Sequence, residues 1–107
     1  MMLSRIQMPL KARAGEVIEI RIAIQHPMET GYRQDEMGKS IPANVVNHLV
    51  CNYGGKEIFR AEMGTGIAAN PYLAFFAVAG ASGEVEFSWT DDKGETGEAR
   101  VPLAVTA

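Results

Sequence analysis

"EVIEIRIAIQ", residues 16–25, decides the fold. Ile18, Ile20, Ile22 and Ile24 share one parity, while Glu19, Arg21 and Gln25 share the other. Successive side chains of a strand point to opposite faces, so this stretch reads as a half-buried strand. A helical period of 3.6 would scatter the four isoleucines around the axis instead. The same alternation recurs in Val85, Phe87 and Trp89 against Glu84, Glu86, Ser88 and Thr90, and again in Val101, Leu103 and Val105. No window carries a helical period over three turns.

Working outward, about seven strands are expected, near 3–10, 16–25, 44–53, 57–63, 72–79, 84–90 and 97–105. Gly54-Gly55, Ala81-Ser82-Gly83 and "TDDKGE" separate successive strands with hairpin chemistry. Short strands at this spacing predict an all-β fold, an immunoglobulin-like antiparallel β-sandwich, as a single domain over residues 1–107.

Composition removes several function classes. Of 107 residues 47% are hydrophobic and 21% charged, which is ordinary globular usage. The net charge is -3 and the ten basic residues are scattered, so no patch suited to nucleic-acid phosphates is expected. No apolar run approaches the ~18 residues of a membrane span. The N-terminal "MMLSRIQMPLKARAG" lacks the continuous apolar core of a secretory signal, which by itself points to the cytoplasm or to export by another route. A single cysteine, Cys51, excludes an intrachain disulfide and a multi-cysteine zinc site.

Two stretches break the pattern. "PYLAFFAVA", 71–79, is apolar on both parities: Tyr72, Phe76 and Val78 on one, Leu73, Phe75, Ala77 and Ala79 on the other. An antiparallel strand of a sandwich normally keeps one face wet. Either the 26–42 loop covers its outer face or another protein does. "HPMETGYRQDEMGKSIP", 26–42, is a long connection without periodic hydrophobics, the kind that is usually functional or disordered.

Neither stretch assembles a catalytic constellation. Cys51 shares the mostly apolar parity of Val45, Leu49 and Tyr53, while His48 lies on the other, so it reads as a buried, inert thiol rather than a nucleophile. Both histidines precede the cysteine, contrary to the order of a blue-copper loop, and Met1, Met2, Met8, Met28, Met37 and Met63 are too dispersed for a soft-metal site. "GKS" at 38–40 lacks the glycine spacing of a phosphate loop. Asp91, Asp92 and Glu95 read as a solvated hairpin turn, and His26 as a residue that caps the long loop without a carboxylate partner. No catalytic, cofactor or metal residues are therefore assigned.

The motifs "HPMETG" (26–31), "ANPYL" (69–73) and "F-x-W-T-D" (87–91) stand in the order found in the SoxZ family. The chain resembles that family from about residue 6 onward. SoxZ is the Z subunit of the SoxYZ carrier complex of bacterial thiosulfate oxidation. The resemblance implies a non-catalytic immunoglobulin-like subunit. Its partner is a Y-type subunit whose C-terminal arm cysteine carries sulfur intermediates, in a heterodimer or a higher assembly. It also implies transient contact with other Sox enzymes, and a periplasmic location reached by export with the Y subunit. The C-terminal "VPLAVTA" has no such arm cysteine, which fits the Z role. On this basis Met28, Tyr32, Pro71, Tyr72 and Phe76 are expected in the Y interface, with Arg33 and Asp35 on its rim, because aromatic, methionine and arginine residues are enriched at interface cores. A subunit of another periplasmic oxidation pathway, a stand-alone ligand- or copper-binding sandwich, and an enzyme acting through Cys51 are the alternatives.

Overall fold

The alternating stretches become eight strands in the computed structural model, which describes residues 3–107. They are β1 (Ser4–Gln7), β2 (Lys11–Arg13), β3 (Val17–Ile24), β4 (Val46–Tyr53), β5 (Lys56–Glu62), β6 (Tyr72–Val78), β7 (Gly83–Asp91) and β8 (Thr96–Thr106). They form a three-stranded sheet of order β1-β3-β6 and a five-stranded sheet of order β2-β8-β7-β4-β5. The result is the expected all-β sandwich of immunoglobulin-like order. Met1 and Met2 lie outside the described residues.

Two expectations are corrected. The strand expected over 3–10 is interrupted at Pro9, whose ring removes a ladder donor. Its first part, β1, pairs antiparallel with β3, and the chain then crosses to lay β2 parallel to β8. The connection 79–83 is not a hairpin, because β6 and β7 belong to different sheets. Tyr53 fastens that crossover: its hydroxyl donates to the Ala81 carbonyl and accepts the Gly80 N–H at 3.1 Å. Gly54-Gly55 does make the expected two-residue hairpin between β4 and β5, with positive φ of 61° and 81° that only glycine adopts without cost.

The core follows from parity. Ile18, Ile20, Ile22 and Ile24 face inward from β3, and Val85, Phe87 and Trp89 from β7, all at most 3% exposed. Leu49 and Cys51 join them from β4. Phe75 of β6 reaches across, stacked on Phe59 of β5 with centroids 4.1 Å apart and edge-on to Phe87 at 6.2 Å. Such aromatic pairs add about 0.5–1.5 kcal/mol beyond the area they bury. Gly97 lies directly opposite Trp89 in the β7–β8 ladder, and the indole fills the space a side chain would need.

The sheet edges differ in chemistry. β1 has four residues and β2 three, the latter with Lys11 and Arg13. β5 carries Lys56, Glu57, Arg60 and Glu62. β6 runs seven residues, YLAFFAV, without a charge.

Candidate protein-interaction face

The outer face of the β1-β3-β6 sheet is built from rows set by strand register. Arg5, Ala23 and Tyr72 form one row across the three strands, and Gln7, Arg21 and Ala74 the next. Glu19 then pairs with Phe76, and Val17 with Val78. Tyr72, Phe76, Val78 and Val17 are 57%, 68%, 60% and 61% exposed. The reading in which the 26–42 loop covers this face is therefore overturned. Arg21 lies flat against Glu19, its Nε and Nη2 donating to Oε1 at 2.9 and 2.6 Å, which raises the guanidinium pKa.

The loop instead forms an arm continuing from one end of the sandwich, in a molecule 61 Å long and 19 Å across in both other directions. Glu29 and Asn44 exchange two backbone hydrogen bonds of 2.8 and 2.9 Å at its base, and Ile41 N–H donates to Arg33 O further out. At the tip, Asp35 Oδ1 accepts the N–H groups of Met37 and Lys39 at 2.9 and 3.0 Å, which closes the turn. Every residue from 32 to 40 is exposed.

The base of the arm is a hub centred on His26, 4% exposed. Its backbone N–H donates to Asn70 Oδ1 at 3.0 Å, and Asn70 N–H returns a bond of 2.7 Å to the His26 carbonyl. Its Nδ1 accepts the Met28 N–H at 2.9 Å, so the ring proton sits on Nε2, which donates to Asp91 Oδ2 at 3.1 Å. Asp91 also accepts from Asn44 Nδ2 at 3.3 Å and from the N–H groups of Lys93 and Glu95 at 3.0 and 2.9 Å. Desolvation by burial pushes its carboxyl upward, but these four bonds, led by His26, outweigh it and hold the group below its ordinary value. Asp91 is thus buried and structural, not part of a solvated turn, and His26 has the carboxylate partner that its sequence neighbours do not supply.

Among the residues expected at an interface, the structure separates three groups. Met28 and Pro71 are corrected to interior positions. Met28 is 4% exposed, with its sulfur accepting the Val46 N–H at 3.2 Å, and Pro71 is buried. Tyr32, Arg33 and Asp35 lie on the arm, where Arg33 pairs with Glu29 at 2.6 Å and lowers that carboxyl's pKa, while Asp35 is occupied by its own turn. Tyr72 and Phe76 lie on the sheet face, beside Val17 and Val78, which sequence reasoning left out of the interface.

Burial pushes the Cys51 thiol up to about 12. Among the described residues no three His, Cys, Asp or Glu side chains are grouped to hold a metal ion.

The profile of the family described as sulphur oxidation protein SoxZ matches residues 6–102. The chain belongs to the SoxZ family. It is therefore a subunit of the Sox sulfur-oxidation system. No curated protein sequence matches it significantly. Solved structures similar to this SoxZ-family chain include a variant of the superoxide reductase (neelaredoxin) from Ignicoccus hospitalis, at TM-score 0.76 and 18% identity over 96% of this chain and 79% of that one. A proposed superoxide reductase from Thermotoga maritima aligns at TM-score 0.73 and 14% identity over 97% of this chain and 86% of that one. At such identity the likeness shows the fold alone.

The three sequence motifs that carry the resemblance meet at the hub. His26 begins "HPMETG", Asn70 belongs to "ANPYL", and Asp91 ends "F-x-W-T-D". Segments far apart in sequence thus fix the direction in which the arm leaves the sandwich.

Proposed function

We propose that the chain is the non-catalytic partner of a Y-type sulfur-carrier subunit. It holds that subunit folded and presents its cysteine-bearing arm to the enzymes that load, oxidise and release the bound sulfur. The complex works in the periplasm, reached by export of the two subunits together. Sox-system membership supports the pathway, and one observation supports the scaffold role: the uncovered apolar strip of Val17, Tyr72, Phe76 and Val78. Burying one such side chain is worth roughly 1.5–3 kcal/mol. Several together favour association over solvent exposure. Light scattering on size-exclusion chromatography tests the reading, with the chain alone and co-expressed with the Y subunit of the same organism. A stoichiometric complex is the expected result. Separate elution across salt and concentration would overturn it and bring forward a stand-alone binding module.

A further inference from the structure

The polar half of the same sheet face carries a second message. Ala23 sits between Arg5 and Tyr72 in its row, and Ala74 follows in the next, so two methyl groups stand where long side chains surround them. The shortfall leaves a hollow of about 200 Å³ lined by Arg5, Gln7, Arg21, Ala23 and Tyr72. The residues around it carry two guanidinium groups, an amide and a phenol, with no carboxylate among them, and the Arg21 guanidinium is already engaged by Glu19. Arg5 makes no ion pair or side-chain hydrogen bond among the described residues. Two arginines against Glu19 leave this face at +1, in a chain whose net charge is -3.

We propose that this hollow receives a carboxylate side chain of the Y-type partner, as the polar anchor of a contact whose apolar part covers Phe76, Val78 and Val17. The proposal rests on the partner reading above and adds the chemistry of the docking surface. Guanidinium groups match carboxylates through paired, charge-assisted hydrogen bonds. The flanking methyl groups and the continuous apolar strip suit an acid carried on a protein surface better than a free ion, which would keep its water. Tyr72 and Phe76 are four residues apart on one strand, which places the acid on the order of 13 Å from the group that covers Phe76. The face therefore selects a partner with an acidic residue beside an apolar cluster, and its local charge opposes that of the chain as a whole.

The test measures affinity between the full chain and the separately purified Y subunit, for the unmodified protein, Arg5→Glu and Arg5→Lys, at low and moderate salt. Arg5 is exposed, so circular dichroism is expected to be the same for all three. Arg5→Glu is expected to weaken the complex at least tenfold and to flatten its salt dependence, with Arg5→Lys between. A complex that forms equally well with Arg5→Glu overturns the carboxylate anchor and leaves the partner reading standing. Failure of the unmodified chain to bind overturns both. Tight binding of sodium acetate or sodium sulfate to the chain alone, lost in Arg5→Glu, would overturn the assignment in favour of a free-anion site.

Discussion

His26 Nε2 donates to Asp91 Oδ2 across 3.1 Å, and both side chains are buried. The bond ties the end of β3 to the end of β7, and so ties both sheets to the arm. Asp91→Ala removes the acceptor of four hydrogen bonds at once and strands buried donors. It is expected to destabilise the fold by about 3 kcal/mol. Urea denaturation checks this, and a loss below 1 kcal/mol, of the size roughly expected for an isolated surface pair, would remove the hub from the account.

Asp91 also predicts a direction for pH. Its carboxyl titrates lower in the folded chain than in the unfolded one, where the ordinary value is roughly 3.9. The unfolded chain therefore takes up the proton first as pH falls. The contribution is complete above that value and is lost as pH descends through the folded pKa. The urea midpoint of the native chain should drop below about pH 4, and Asp91→Asn should drop less over the same interval.

Cys51 should be silent until the sandwich opens. Its thiol is fully buried and raised to about 12, so thiolate is scarce and reagent access is blocked. Iodoacetamide is expected to label it only in denaturant. Labelling of the native chain at the denatured rate would restore the nucleophile reading.

Gly97 is expected to tolerate no side chain. A Cβ there would sit 2.2 Å from Trp89 Cε2, and Trp89 is the largest fully buried side chain. Gly97→Ala must displace the ring, at a cost of roughly 1–3 kcal/mol as overpacking. Tryptophan emission and the thermal midpoint report it together, since Trp89 is the sole tryptophan.

On the outer face, Phe76→Ser should separate association from folding. The side chain is 68% exposed, so monomer stability should change by less than about 0.5 kcal/mol. The proposed complex with a Y-type subunit is expected to weaken by at least tenfold. An unchanged complex would move the interface elsewhere, with Tyr32 on the arm the next position to test.

Much of this was legible in parity. The inward row Ile18, Ile20, Ile22, Ile24 continues to His26, and the row Val85, Phe87, Trp89 continues to Asp91. Counting two further along each strand places a histidine and an aspartate at the ends of two inward-facing rows. Their polar character and neighbouring sequence point to loop and turn residues, and only the approach of the two sheets shows that they satisfy one another. Met28 escaped for a different reason. Its φ of 51° turns the chain just after Pro27 and swings the side chain inward, and no alternation pattern encodes that turn. The crossover at Pro9 and the change of sheet at 79–83 depend on which strands pair, which is a property of the whole chain. The exposure of Phe76 required the same knowledge, since parity located both faces of β6 without saying which one the sandwich would cover.

The bare edge of β6 has a consequence for the chain on its own. The other edge strands are short or charged, and these features discourage a foreign strand from adding to a sheet. YLAFFAV has neither protection, and its hydrophobic, uncharged, proline-free run is the composition that stacks into cross-β aggregates. Where the chain self-associates without the proposed partner, β6 is therefore the strand expected to add to a neighbour. If the chain works with the proposed Y-type partner, matched synthesis of the two would then serve as protection against such strand addition, not only as a route to the correct stoichiometry.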